Sequence, residues 1–220
     1  MSTSRRLSDI LCIVFGISIL VMSAISYATT SRMGYQVNTG IFCGLVCFFP
    51  MLLSRFHVLD LHPAFVAVIE LSILLHAYGV LLLSYDLITY YDTITHFLSS
   101  VTVAMCVFMT LMCYQAYSGG SVRFTGPKMA LFIVLIMLRF SAYWEVFEYI
   151  VDILTGTTMQ YSPFDTLRDM LCNTCGTLTV SITVGYYMRN RQPEDFVEKF
   201  NLHPKLRKFI SDPFGEKDNQ

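Results

Sequence analysis

Asp92 and His96 stand four residues apart, Glu145, Glu148 and Asp152 follow at intervals of three and four, and Asp165, Asp169 and Asn173 at four and four. On helices these are same-face intervals, so each set draws a single polar stripe. Carboxylate and imidazole ligands projecting from antiparallel helices are how carboxylate bundles hold metal, and oxygen-rich ligation with an imidazole suits Mg, Mn, Fe or Zn. A divalent cation held this way activates water, and a further carboxylate accepts its proton, which is the chemistry of hydrolysis or group transfer. The metal-ligand candidates are therefore Asp92, His96, Glu145, Glu148, Asp165 and Asp169. The catalytic candidates are Glu145, Glu148, Asp169 and Arg168, the last suited to holding a phosphate.

The cost of such residues in an apolar setting sharpens this reading. An ionisable side chain inside a membrane segment costs roughly 2.5–3.5 kcal/mol on insertion scales, so it is paired, faces a cavity or is functional. Converging carboxylates raise one another's pKa and need protons or a cation to coexist. For Asp92, Asp152 and Asp165 a second reading stands beside this one, because each sits where a helix cap or helix end belongs. His76 is a further ligand candidate. Arg139 falls on a different side of its helix from Glu145 and Glu148 and approaches the depth of Glu70, which predicts a buried structural ion pair between them.

The elements that must position these residues are membrane helices. The chain has 220 residues, 54% hydrophobic and 14% charged, with a mean hydropathy of +0.54, too apolar for a soluble domain of this size. A core of about 30 Å takes about 20 residues to cross, and runs of that kind lie near 8–28, 36–54, 63–85, 91–115, 128–153 and 165–188. The first is too long for the h-region of a signal peptide. The expectation is an all-α polytopic bundle of about six transmembrane helices over 1–190, followed by a cytoplasmic amphipathic tail over 191–220. Arg5, Arg6, Arg55, Arg123, Lys128, Arg189 and Arg191 mark alternate loops while the opposite loops hold only Arg32, which places both termini in the cytoplasm of a plasma (inner) membrane. All three stripes then lie within roughly the outer 12 Å of their helices at about 1.5 Å per residue. The uncharged loop 155–164 is placed to act as a lid over them.

Other classes are excluded. A formal charge of -1 offers no basic face for nucleic acid. The seven cysteines fall almost entirely inside apolar runs, so they read as small packing residues rather than a disulfide framework. Cys172 and Cys175 form an isolated C-x-x-C without the second pair that a zinc site requires.

The order Tyr-Asp-x-x-x-His-Phe (91–97), Trp-Glu-x-x-Glu-Tyr (144–149) and Phe-Asp-x-x-x-Asp-Met (164–170), followed by Gly176, resembles the YjdF-like inner membrane proteins. The Asp-x-x-x-His, acidic, and Asp-plus-Asn-x-x-Gly order is also similar to that of the VanZ-like proteins associated with glycopeptide antibiotic resistance. The resemblance spans about residues 76–177 and implies a polytopic inner-membrane protein without assigning a reaction. It differs at 76–77, where this chain has His-Ala in place of the His-Glu of the family pattern.

Three functions compete at this level. The first is a membrane-embedded, metal-dependent hydrolase or transferase acting on a lipid or lipid-linked substrate at the outer leaflet. The second is an ion- or proton-coupled transporter, disfavoured by the lack of an inverted repeat and of paired Gly/Pro-broken helices. The third is a non-catalytic assembly or sensor subunit with a structural metal site. Protein partners are not specified by the sequence; the lipid bilayer is.

Overall fold

The capped, proline-led starts of three helices show how local sequence sets the elements. In the computed structural model, which describes residues 3–30, 34–118, 122–124 and 126–212, α1 (Thr3–Thr30), α2 (Tyr35–Val46), α3 (Phe49–Arg55) and α4 (Pro63–Leu81) come first. The short α5 (Ser84–Leu87), the long α6 (Tyr91–Tyr117), α7 (Gly126–Thr155) and α8 (Pro163–Tyr187), and then α9 (Pro193–Val197) and α10 (Pro204–Ser211) follow. Helices α4, α8 and α10 each begin with a proline, whose missing N–H costs nothing there. Before it stands a cap: His62 accepts from the Ala64 N–H, Ser162 from the Asp165 N–H and His203 from the Lys205 N–H. Arg32, the Gly119-Gly120 pair and the last residues of the expected tail, 213–220, lie outside the described residues.

Five helical spans are long and apolar enough to cross a membrane: Thr3–Thr29, Tyr35–Arg55, Pro63–Leu81, Tyr91–Tyr117 and Gly126–Thr155. The second is broken between α2 and α3, where Pro50 cannot donate to the carbonyl four residues back. The sixth expected span, α8, has 25 residues, enough at about 1.5 Å per residue for a 30 Å core. It is more polar than the others because Asp165, Arg168, Asp169 and Asn173 occupy its first half.

Contacts between remote segments fix how often the chain crosses. Arg5 donates to the Ser54 carbonyl (2.7 Å) and Arg55 pairs with Asp9 (2.9 Å). Asp60 N–H donates to the Phe200 carbonyl and His203 N–H to the Val58 carbonyl. The start of α1, the α3–α4 connection and the segment before α10 therefore share one end of the bundle, and the chain returns to the side on which it begins. With five apolar spans, that return requires α8 to traverse as well. The segment expected as a tail packs against this end: Phe196 meets Phe108 with ring centroids 5.1 Å apart, and Val197, Phe200 and Leu202 join the core of α6, α7 and α8.

The helices form two packed groups, α1 with α2 and α4, and α8 with α6 and α7, joined along α4 and α6. The α6–α8 crossing is close because of Gly176. A Cβ there would meet Ser100 and the Phe97 carbonyl.

The expected Arg139–Glu70 ion pair is not formed. Glu70 is completely buried on α4 within the first group, beside the thiols of Cys12 and Cys47, while Arg139 lies exposed on α7 in the second. The two stand on helices of different groups, and α7 has no substantial contact with α4. The cysteines also divide: Cys12, Cys43 and Cys47 are buried packing residues, whereas Cys106 and Cys175 are exposed.

Candidate metal centre

At the end of the bundle opposite the start of α1 and the segment leading to α10, α6 starts, α7 finishes and α8 starts. Asp92 and His96 lie in the first turns of α6, and Asp169 lies about 9 Å into α8 at 1.5 Å per residue. The three offer one ligand atom each, all within 4.8 Å of one another. His96 Nε2 stands 3.3 Å from Asp92 Oδ1 and 4.0 Å from Glu148 Oε1. Burial is nearly complete for His96 (7%) and Asp169 (2%).

The other sequence candidates take distinct positions around this trio. Glu148 faces His96 and accepts a hydrogen bond from the Trp144 indole at 2.7 Å. Glu145 is buried nearby with neither carboxyl oxygen hydrogen-bonded among the described residues. Asp165 is engaged elsewhere: it pairs with Arg168 and accepts the Tyr161 N–H at 3.2 Å. Arg168 also reaches Asp92 at 2.9 Å and stands 3.6 Å from Asp169. The guanidinium thus draws Asp92 and Asp169, from two helices, toward one another, and its partly exposed head keeps donors free for an anion. Asn173 lies one turn deeper and donates to Ser141 of α7 at 2.9 Å, which ties α8 to α7 directly below the site.

Asp152 does not join the cluster. It accepts from the Thr157 hydroxyl (2.8 Å), the Met159 N–H (2.7 Å) and the Gln160 N–H (2.9 Å), so its role is to fold the α7–α8 connection back over the site. Gly156, at φ +70, makes that turn possible without Cβ strain. Tyr161 continues the same strap by donating to Asp86 at 2.6 Å. Burial, reinforced by the Asp86 carboxylate, raises the Tyr161 phenol above its ordinary pKa.

Beneath the strap is a cavity of about 310 Å³. Asp92, His96 and Glu148 form its polar floor, while Val80, Leu83 and Trp144 are among its apolar walls. His76 also lines it, held by the Tyr85 hydroxyl at 3.0 Å, and is not one of the clustered donors. The Trp144-to-Glu148 bond was legible as an i, i+4 pair; the Asp86–Tyr161 contact, across 75 residues, had no sequence signal.

Chemically, Asp92, Asp165 and Asp169 gather around the Arg168 guanidinium, and Glu148 adds a further carboxyl beside His96. Like charges at such spacing need protons or a further cation.

Comparison with known proteins bears on identity. No curated protein and no solved structure gives a match, and the likeness to VanZ-like proteins finds no support. The family described as "Predicted membrane protein (DUF2238)", that of the YjdF-like proteins, matches residues 10–191, and the chain belongs to this family.

Proposed function

We propose that Asp92, His96 and Asp169 bind a divalent cation, Mg, Mn, Fe or Zn, as the centre of a membrane-embedded hydrolase or transferase acting on a lipid or lipid-linked substrate. The observation that carries this reading is the convergence of those three donors within 4.8 Å of one another, two of them, Asp92 and His96, on the floor of a strapped cavity. A cation there polarises a bound oxygen and lowers the pKa of water. Glu148, within reach of the same space and oriented by Trp144, is the candidate general base, and Glu145 a second. Arg168 positions two of the ligands and presents its remaining donors to a phosphate or carboxylate.

The shape of the cavity supports the substrate class. Its charged floor and apolar walls suit an amphiphile whose head reaches Asp92 and whose tail lies along Val80, Leu83 and Trp144. The loop charges put this end on the outward side, where a lipid headgroup of the outer leaflet is at the matching depth.

The test is metal content and thermal stability of the gently purified protein in detergent. A cation bound only to the folded state stabilises it, so chelation lowers the melting temperature and the cognate ion restores it. Asp169→Asn and His96→Gln abolish the response while leaving membrane insertion intact. Absence of stoichiometric metal, with no thermal response to Mg, Mn, Fe or Zn, overturns the reading in favour of an ion- or proton-coupled transporter.

A further inference from the structure

The buried residues of α7, from Met129 through Met137 and Ser141 to Glu148, form one stripe, and the helix packs against α8 and α6. Arg139 stands two residues from both Met137 and Ser141, about 200° around the helix from that stripe at about 100° per residue. It is exposed, and its guanidinium has no ion pair or hydrogen bond among the described residues.

Depth makes this position costly. By length and hydropathy α7 crosses the membrane, and Arg139 is about 20 Å from one end of the helix and about 24 Å from the other at about 1.5 Å per residue. So far from both interfaces, the side chain cannot carry its charge to water or to a headgroup phosphate by snorkelling. The surface around it is apolar. Phe132 and Leu135 precede Arg139 by seven and four residues, and Tyr143 and Val146 follow by four and seven. All four are exposed, and these same-face intervals line them up as a seam with the charge at its centre.

Such a seam is what one membrane helix offers another, and it lacks only a counter-charge. A second copy of the chain has none to give, because the acidic residues in the interior of the described spans, Glu70, Glu145, Glu148 and Asp169, are all buried. We propose that this face of α7 binds a membrane-spanning helix of a different protein, one that carries Asp or Glu near mid-membrane, and that Arg139 pairs with that carboxylate. The guanidinium fork takes a carboxylate through two parallel hydrogen bonds, and the surrounding hydrocarbon offers neither charge a competing partner. The contact shares no residue with the Asp92–His96–Asp169 centre, so it stands or falls without a bound cation.

The probe is a synthetic polyleucine helix long enough to span a bilayer, with Lys at both ends and one Glu at its centre, followed by resonance energy transfer to the dye-labelled full-length chain in phosphatidylcholine vesicles. The two should associate saturably. Replacing the central Glu by Gln, or Arg139→Leu in the chain, should weaken association by about tenfold or more, the effect of losing a charged hydrogen bond, and Arg139→Lys should retain part of it. Ile182→Ala, on the exposed surface of α8, should leave association unchanged. Arg139→Leu removes no internal pair, so it should keep the melting temperature of the unaltered chain, which separates loss of the partner from loss of the fold. In native membranes, a photocrosslinking residue at position 135 or 143 should attach to a membrane-spanning peptide with an acidic residue inside its span, and Arg139→Leu should remove that adduct. Equal binding of the Glu and Gln helices, association unchanged in Arg139→Leu, crosslinks to lipid alone, or crosslinks to a second copy of the chain overturns the proposal.

Discussion

At the scale of single residues, charge partners are decided by helix neighbours, not by depth. Arg139 lies about 20 Å from the start of α7 at 1.5 Å per residue, but it is exposed and has no ion pair among the described residues. The double substitution Arg139→Leu with Glu70→Gln should therefore be additive, with a coupling below about 0.5 kcal/mol in thermal or denaturant unfolding in detergent, because residues without shared partners act independently. A larger coupling would show that the two interact. Asp169 behaves oppositely: it is remote in sequence from Asp92 and His96 and on another helix, yet Arg168 and a common depth bring it to them.

At the scale of elements, the site depends on how α8 is held. Gly176 permits α6 and α8 to cross with the Phe97 carbonyl and Ser100 where a side chain would otherwise lie. Gly176→Leu should separate them at a cost of about 1–3 kcal/mol, the range for overpacking a filled interior, read as a lower melting temperature and as weaker cation retention at the neighbouring centre. Gly176→Ala should have the same sign and a smaller size. The strap between α7 and α8 has a different support, the three hydrogen bonds accepted by Asp152. Asp152→Ala should release it, so that protease cleaves within 156–161 faster while the helices stay intact, and Asp152→Asn, which retains the acceptor oxygen, should recover part of the protection. Equal cleavage in all three proteins would show that the strap is held by other contacts.

At the scale of the whole molecule, the two ends of the bundle are chemically different. One gathers the start of α1, the α3–α4 connection and the segment leading to α10, and the other holds the carboxylate–histidine cluster under its strap. Single cysteines placed at Thr157 and at Lys199 in a cysteine-free variant should thus face opposite sides of the membrane. An impermeant thiol reagent added from outside should label position 157 and reach position 199 only after permeabilisation, as the distribution of Lys and Arg among the loops requires. The reverse pattern would move the carboxylate–histidine cluster to the cytoplasmic face.

The sequence by itself determined the membrane class, the helix spans to within a few residues and the three polar stripes, because hydropathy runs and i, i+4 spacing are local properties of the chain. It determined that Asp92, His96, Glu145, Glu148 and Asp169 share one level, since depth follows from residue count along a helix. Only the tertiary structure decided which of them converge. Neighbour relations around a bundle axis are set by packing, so Asp169 comes to His96 while Asp165 turns to Arg168 and the loop, and Asp152 to the strap. The same azimuthal information separated Arg139 from Glu70 and placed Cys12 and Cys47 beside that carboxyl, a meeting of three helices that no spacing within any one of them encodes.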